Sequence, residues 1–195
     1  MDKISYALGL SLGQNLLSSG VKQLEYQDLA AGIEDVLKAR EPKITYQEAQ
    51  TVLNRFFSEL EQKAAKAAKE QGEKFLEQNK QRPSVKTTPS GLQYEILEPA
   101  LGMKPKPTDT VRVHYEGTLI DGTVFDSSYK RGESITFPLN GVIAGWTEGL
   151  QLMSIGAKYK FYIPYQLGYG ERGAGAQIPP YAALIFTVEL LGIEN

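Results

Sequence analysis

VRVHYEGTLIDGTVFDSSY, residues 111–129, decides how the second half of the chain is read. Val111, Val113, Tyr115, Gly117 and Leu119 alternate with Arg112, His114, Glu116 and Thr118. A period of two puts one set on a buried face and the other in water, the pattern of a strand. Asp121-Gly122 then predicts a tight turn. Val124, Phe125 and Asp126 follow, closed by Ser127 and Ser128. An aromatic ring beside a carboxylate at the end of a turn suits a small-ligand site, an apolar surface with one placed polar group.

The flanking sequence extends this pattern. Ile135–Leu139 reads as a short strand, with Pro138 marking an edge or a bulge. Trp146, Gly149, Leu150 and Met153 predict a short amphipathic helix that ends near Gly156. Tyr159, Phe161 and Ile163 alternate with Lys158, Lys160 and Tyr162, and Leu184, Phe186, Val188 and Leu190 alternate with Ile185, Thr187 and Glu189. On the other side, Leu92–Leu97 reads as a strand and Lys104-Pro105-Lys106-Pro107 as a loop. Many strands with one short helix predict an α+β domain, an antiparallel sheet wrapped around that helix. The Pro-, Ser- and Thr-rich run Arg82–Gly91 has the composition of a boundary, so the domain is set at 85–195.

Residues 1–84 read as all helical. Ile4, Leu8, Leu12 and Leu16 recur at helical spacing, with Tyr6, Leu10 and Leu17 widening the stripe, and Gly20 fits a C-cap. A second helix is expected over 26–39, ended by Glu41-Pro42. Thr45-Tyr46-Gln47-Glu48 has the form of a capping box, and a long helix follows to about Asn79. Its apolar stripe is clear at Leu53, Phe56, Phe57 and Leu60, then thins to Ala64, Ala67 and Ala68 among Lys, Glu and Gln. At ~1.5 Å per residue it reaches roughly 50 Å, too long for a helix packed within a domain of this size. The expectation is a helix packed at its start and solvated along its second half as a spacer, with Gly72 as a candidate weak point. Three such helices make a poor independent core. Two copies packed together bury more apolar surface, which predicts a homodimer through this half.

Composition removes several function classes. The 195 residues carry a formal net charge of −2, so no global field draws nucleic acid or an anionic membrane. Cysteine is absent and His114 is the single histidine, which excludes disulfides, a thiol nucleophile and Cys- or His-rich metal sites. No run of 18 apolar residues occurs, so no membrane span is expected. The start, Met1-Asp2-Lys3-Ile4, lacks a basic region followed by an apolar one, giving a cytoplasmic expectation, or a periplasmic one if a leader has been removed. Gly168-Tyr169-Gly170-Glu171-Arg172-Gly173 fits GxGxxG, but Gly175, Ile178, Pro179 and Pro180 follow where a dinucleotide site requires a helix start.

The opening stretch, together with VIAGW (142–146), GYGERGAGAQIPP (168–180) and LIFTVELL (184–191), resembles the FK506-binding (FKBP) family of peptidyl-prolyl isomerases. With its helical first half, the chain resembles the dimeric bacterial branch that includes the macrophage infectivity potentiators. The resemblance implies a cup formed by Tyr115, Phe125, Val142, Ile143, Trp146 and Phe186, with Trp146 as its floor. It matches Asp126 to the family's pocket carboxylate and Tyr169 to the tyrosine whose hydroxyl meets a ligand carbonyl. The Ile143 N–H matches the second donor, and Ile178 the loop that rims the pocket. Ile135 stands where the family's human prototype carries an aromatic residue.

The residues suit that chemistry. Rotation about a peptide bond meets a barrier of ~18–20 kcal/mol, and an Xaa-Pro bond isomerises unaided in tens to hundreds of seconds. No covalent bond breaks, so the reaction needs no nucleophile, metal or cofactor. It needs a dry apolar cup for the proline ring and donors that hold the twisted carbonyl. Each ~1.4 kcal/mol of preference for the twisted state speeds the reaction tenfold. Expected partners are proline-containing peptides, unfolded clients, a second copy of the chain and, by resemblance, macrolide inhibitors. A holding chaperone with little isomerase activity and a scaffold that docks a proline-containing partner are the competing functions. His114, on the polar phase of its strand, is expected to be structural or solvent-facing rather than catalytic.

Overall fold

The computed structural model describes residues 1–194, and the chain packs as two units, Met1–Gln62 and Lys63–Asn195. The first unit holds α1 (Lys3–Ser18), α2 (Tyr26–Leu37) and the opening turns of α3 (Tyr46–Asn79). Asp2 caps α1 by accepting the Ser5 N–H at 2.7 Å. The capping box forms at α3: the Glu48 N–H donates to Thr45 Oγ1 at 3.1 Å and the Thr45 N–H to Glu48 Oε2 at 2.9 Å. Two donors outside the helix ladder are thereby satisfied. α2 stops at Leu37, short of the expected Ala39, because Ala39 turns left-handed with φ 48° and the Arg40 N–H bonds back to the Asp35 carbonyl at 2.8 Å. The apolar stripes form, yet they stay largely exposed in the single chain. α1 and α2 bury no residue, and Ile4 and Leu8 are 73% and 67% exposed.

From Lys63 onward α3 belongs to the second unit, which corrects the expectation of a solvated second half. Ala65, Ala68, Gly72, Phe75 and Asn79 recur at helical spacing and are buried or half-buried. The Phe75 ring meets that of Tyr162 at 6.0 Å. Gly72 is no break in the helix: a Cβ there would stand 3.1 Å from that of Ala183, so the absent side chain permits the close approach. Polar contacts continue the seam. Asn79 Nδ2 donates to Gln93 Oε1 at 2.8 Å, and Gln93 Nε2 to the Leu76 carbonyl at 2.9 Å. Just beyond the helix, Arg82 Nη2 donates to Glu95 Oε1 at 2.7 Å, while the Tyr162 hydroxyl donates to Glu95 Oε2. Glu95 is buried, and a buried carboxylate is tolerable because both oxygens meet donors. The composition break at 82–91 therefore follows the end of the helix, while packing divides the chain at 62/63.

The sheet of this unit contains β1 (Lys86–Thr87), β2 (Gln93–Glu98), β3 (Thr110–Leu119), β4 (Val124–Ser127), β5 (Ile135–Pro138), β6 (Lys158–Ile163) and β7 (Leu184–Glu194). Neighbours run β1-β2-β6-β7-β3-β4, all antiparallel, with β5 also paired to β3. The opening stretch lies at the centre of this arrangement. β3 pairs with β7 from Thr110↔Glu194 to Leu119↔Leu184, and Asp121-Gly122 turns the chain back into β4. As the alternation required, Val111, Val113 and Tyr115 are buried while Arg112 is exposed. The short helix α5 (Ala144–Leu150) buries Trp146 and Leu150 in the same cluster as Phe161, Phe186 and Val188. A further single-turn helix, α4 (Ser128–Arg131), follows β4.

Candidate active site

The strand alternation, the start of α5 and one long loop bring the expected site residues together. β3 contributes Tyr115, β4 Phe125 and Asp126, β5 Ile135, and β7 Phe186. Val142, Ile143 and Trp146 come from the entry and first turn of α5, and Tyr169 and Ile178 from the connection between β6 and β7. All ten line one cleft of about 800 Å³, a volume suited to a small ligand or a few residues of peptide.

Aromatic edges form its wall. The Trp146 ring lies 5.1 Å from Tyr115 and 5.1 Å from Phe186, both edge-on, and Phe125 meets Phe186 edge-on at 5.5 Å. Trp146 is buried, and its indole N–H has no hydrogen-bond partner among the described residues. Ile143 precedes α5, and its carbonyl accepts the N–H groups of Trp146 and Thr147 at 2.9 and 3.1 Å. Its own N–H makes none of the backbone hydrogen bonds of the turns and caps.

Asp126 is fixed rather than free. The Tyr115 hydroxyl donates to Oδ2 and Arg131 Nη1 donates to Oδ1, while Arg131 Nη2 donates to the Tyr115 hydroxyl at 3.1 Å. Partial burial opposes ionisation of Asp126, but the hydrogen bonds from Tyr115 and Arg131 and the adjacent guanidinium hold its carboxyl below the usual range. Burial, reinforced by the neighbouring Asp126, pushes the Tyr115 hydroxyl upward. Burial and the Asp126 charge do the same for Tyr169. At neutral pH the cleft thus presents an ionised carboxylate that is fully engaged and two protonated phenols.

Phe137 and Arg131 belong to this site and were not read from sequence. Phe137 is two residues after Ile135 on β5, so it shares the face that Ile135 presents, and its ring lies 5.3 Å from Trp146. Period two was the available signal. Arg131 returns to Asp126 only because α4 turns the chain, which a local pattern does not specify. His114 lies outside the cleft lining. It stacks on Tyr129 at 4.9 Å, and its Nδ1 is 2.9 Å from the Ser128 hydroxyl, a structural placement. After Gly168-Gly173 no helix begins before β7, so the glycine pattern holds no pyrophosphate. Among the described residues no group of three or more His, Cys, Asp or Glu side chains is placed to hold a metal.

A sheet packed on one short helix holds an aromatic cup whose carboxylate is already committed, a cleft built to bind an apolar group. Comparison with known proteins gives its class. A family model described as FKBP-type peptidyl-prolyl cis-trans isomerase matches residues 102–191, and one described as the domain amino terminal to it matches residues 1–96. The chain belongs to the FKBP-type peptidyl-prolyl cis-trans isomerase family. It is 46% identical to the FKBP-type 22 kDa peptidyl-prolyl cis-trans isomerase of Escherichia coli K12, covering 97% of this chain and 93% of that one. It is 40% identical to the Outer membrane protein MIP of Legionella longbeachae, over 100% of this chain and 86% of that one. The crystal structure of FkpA from Escherichia coli matches with a TM-score of 0.77 at 39% identity, covering 98% of this chain and 95% of that one. The outer-membrane name of one relative gives the cytoplasmic expectation no support.

Proposed function

We propose that this FKBP-type isomerase binds the proline of an Xaa-Pro segment in the cleft between β3, β4, β7 and α5, and stabilises the half-rotated amide there. The observation that carries this reading is the convergence of Tyr115, Phe125, Trp146 and Phe186 around one apolar cup, with donors at its rim. The proline ring packs on Trp146 between the edges of Tyr115, Phe125 and Phe186. The Ile143 N–H and the Tyr169 hydroxyl hold carbonyls of the bound chain in the twisted state, where the oxygen no longer conjugates with nitrogen. Val142, Ile135 and Ile178 flank the residue before proline with apolar surface. Asp126 acts by orienting Tyr115 and Arg131, since both of its oxygens are occupied.

Trp146 is the only tryptophan, so its fluorescence reports the cleft directly. Titration of the full chain with a short Leu-Pro peptide will shift Trp146 emission and the amide resonances of Ile143 and Tyr169. A peptide that binds without moving these signals sinks the assignment. Macrolide inhibitors fit the same cup, and competition with the peptide in this titration tests them.

The first unit supports a homodimer, because its stripes at Ile4, Leu8, Leu17 and Val36 are exposed in the single chain. We assign residues 1–84 to dimerisation and linkage and 85–195 to isomerisation. Holding of unfolded clients is an accompanying activity of the same apolar surfaces, tested by whether residues 1–84 alone suppress aggregation. A periplasmic placement is supported by the outer-membrane name of the Legionella longbeachae relative and is read by cell fractionation.

A further inference from the structure

Tyr169 owes its position to a loop whose two stems meet beside it. The N–H groups of Gly168 and Gly170, on either side of Tyr169, donate to the Tyr165 carbonyl at 3.1 and 2.9 Å. The Gly170 carbonyl accepts the Tyr181 N–H at 3.0 Å. The rings of Tyr165 and Tyr181 meet edge-on at 5.0 Å, so ring contact and hydrogen bonds together close the loop. Tyr181 has φ 60°, a left-handed conformation that is costly for a bulky residue and persists only where the surroundings impose it.

α3 supplies those surroundings. Lys69 Nζ stands 5.8 Å from the centroid of the Tyr165 ring and 5.7 Å from that of Tyr181, within cation–π range of both. One turn on, Gly72 brings the helix against this stem: a Cβ there would stand 3.1 Å from the Cβ of Ala183 and 3.8 Å from the Tyr181 carbonyl. The two residues lie on one helix face, three apart.

We propose that Lys69 and Gly72 are positioning residues for isomerisation: α3 clamps the Tyr165–Tyr181 stem and thereby fixes the Tyr169 hydroxyl at the cleft. The clamp rests on the reading of Tyr169 as a donor to the substrate. It gives the last turns of α3 a role in the reaction itself, besides linking the helical half to the isomerase domain.

The test uses the full chain and two independent readouts. Amide hydrogen exchange at Gly170 and Tyr181 reads the clamp whether or not the cleft is catalytic. In Lys69→Met these amides exchange faster while Leu92 and Leu190 in the core do not; unchanged exchange at Gly170 and Tyr181 overturns the proposal. The second readout is kcat/KM on an Xaa-Pro peptide. Lys69→Met loses about two- to fivefold, the factor carried by one cation–π contact, and Lys69→Arg restores most of it. In a Tyr169→Phe background Lys69→Met costs little more, because both changes act through one hydroxyl. Full additivity, or equal losses in Lys69→Met and Lys69→Arg, contradicts the clamp. If Tyr169→Phe alone leaves kcat/KM unchanged while exchange rises in Lys69→Met, the donor reading has failed and the positioning role with it, although the mechanical contact stands. Gly72→Ala tests the approach separately. It lowers kcat/KM, and adding Ala183→Gly, which returns the space of one methyl group, recovers it; failure to recover counts against the approach.

Discussion

Gly117→Ala is the sharpest probe of how the cleft is built, because it adds one methyl group at the contact between two rings. Gly117 lies on β3 opposite Phe186 of β7, with Asp126 of β4 on its other side. A Cβ at Gly117 would stand 2.7 Å from Cε2 and Cζ of Phe125 and 2.7 Å from Cε1 of Phe186. Ordinary contact begins near 3.4 Å, so the space is about 0.7 Å short on both sides. Phe186 is 3% exposed and enclosed by the core, whereas Phe125 is half-buried and borders the cleft. Phe125 therefore yields, moving into the volume proposed for the proline ring. Overpacking of this kind costs about 1–3 kcal/mol of stability. A displacement approaching 1 Å at a reacting centre costs on the order of 10²-fold in rate. Urea unfolding will show a stability loss of that size in a chain that remains folded, and exchange NMR on an Xaa-Pro peptide will show the larger catalytic loss. Adding Phe125→Leu will restore stability but not rate. A Gly117→Ala protein with wild-type rate and stability refutes the reasoning.

Three further outcomes follow from the same structure. The folded carboxyl of Asp126 is held below its unfolded value, so its contribution is complete above the ordinary carboxylate range and is lost as pH falls through the folded pKa. Tyr115 and Tyr169 are shifted upward and keep their protons past about pH 10, so a pH–rate profile will be flat across neutrality and fall at its acid end only below about pH 4. Glu95→Ala removes the acceptor of the buried Tyr162 hydroxyl and one of the acceptors of Arg82, and denaturant unfolding will record a loss of about 1–3 kcal/mol with an unchanged rate per folded molecule. Leu8→Lys places a charge in the exposed stripe of α1, and sedimentation at micromolar concentration will move from twice the chain mass to the chain mass.

The isomerase fold was legible where one physical pattern dominated. Strict alternation at 111–119 gave β3, and Asp121-Gly122 gave its turn to β4, because period two and turn chemistry are local properties. The resemblance then brought in Tyr169 and Ile178, which no local pattern links to Tyr115. What escaped was carried by long-range or mixed contacts. The packed face of α3 includes Gly72, Lys69 and Asn79, none of which counts in an apolar stripe, so the second half of the helix read as solvated. Glu95 lies on a strand, and its partners, the exposed Arg82 and the buried Tyr162, are far from one another in sequence, so nothing local marked the network. Arg131 reaches Asp126 through a turn of α4. Phe137 was readable in principle from its spacing to Ile135.

The most direct test of the central claim is cis–trans relaxation of a short Xaa-Pro peptide, measured by exchange NMR without a coupled protease, for the wild-type chain, Phe125→Ala and Tyr169→Phe. A strong acceleration by wild type, nearly abolished in folded Phe125→Ala and reduced in Tyr169→Phe, is the predicted result. Undiminished acceleration in folded Phe125→Ala contradicts the account and moves catalysis out of this cleft.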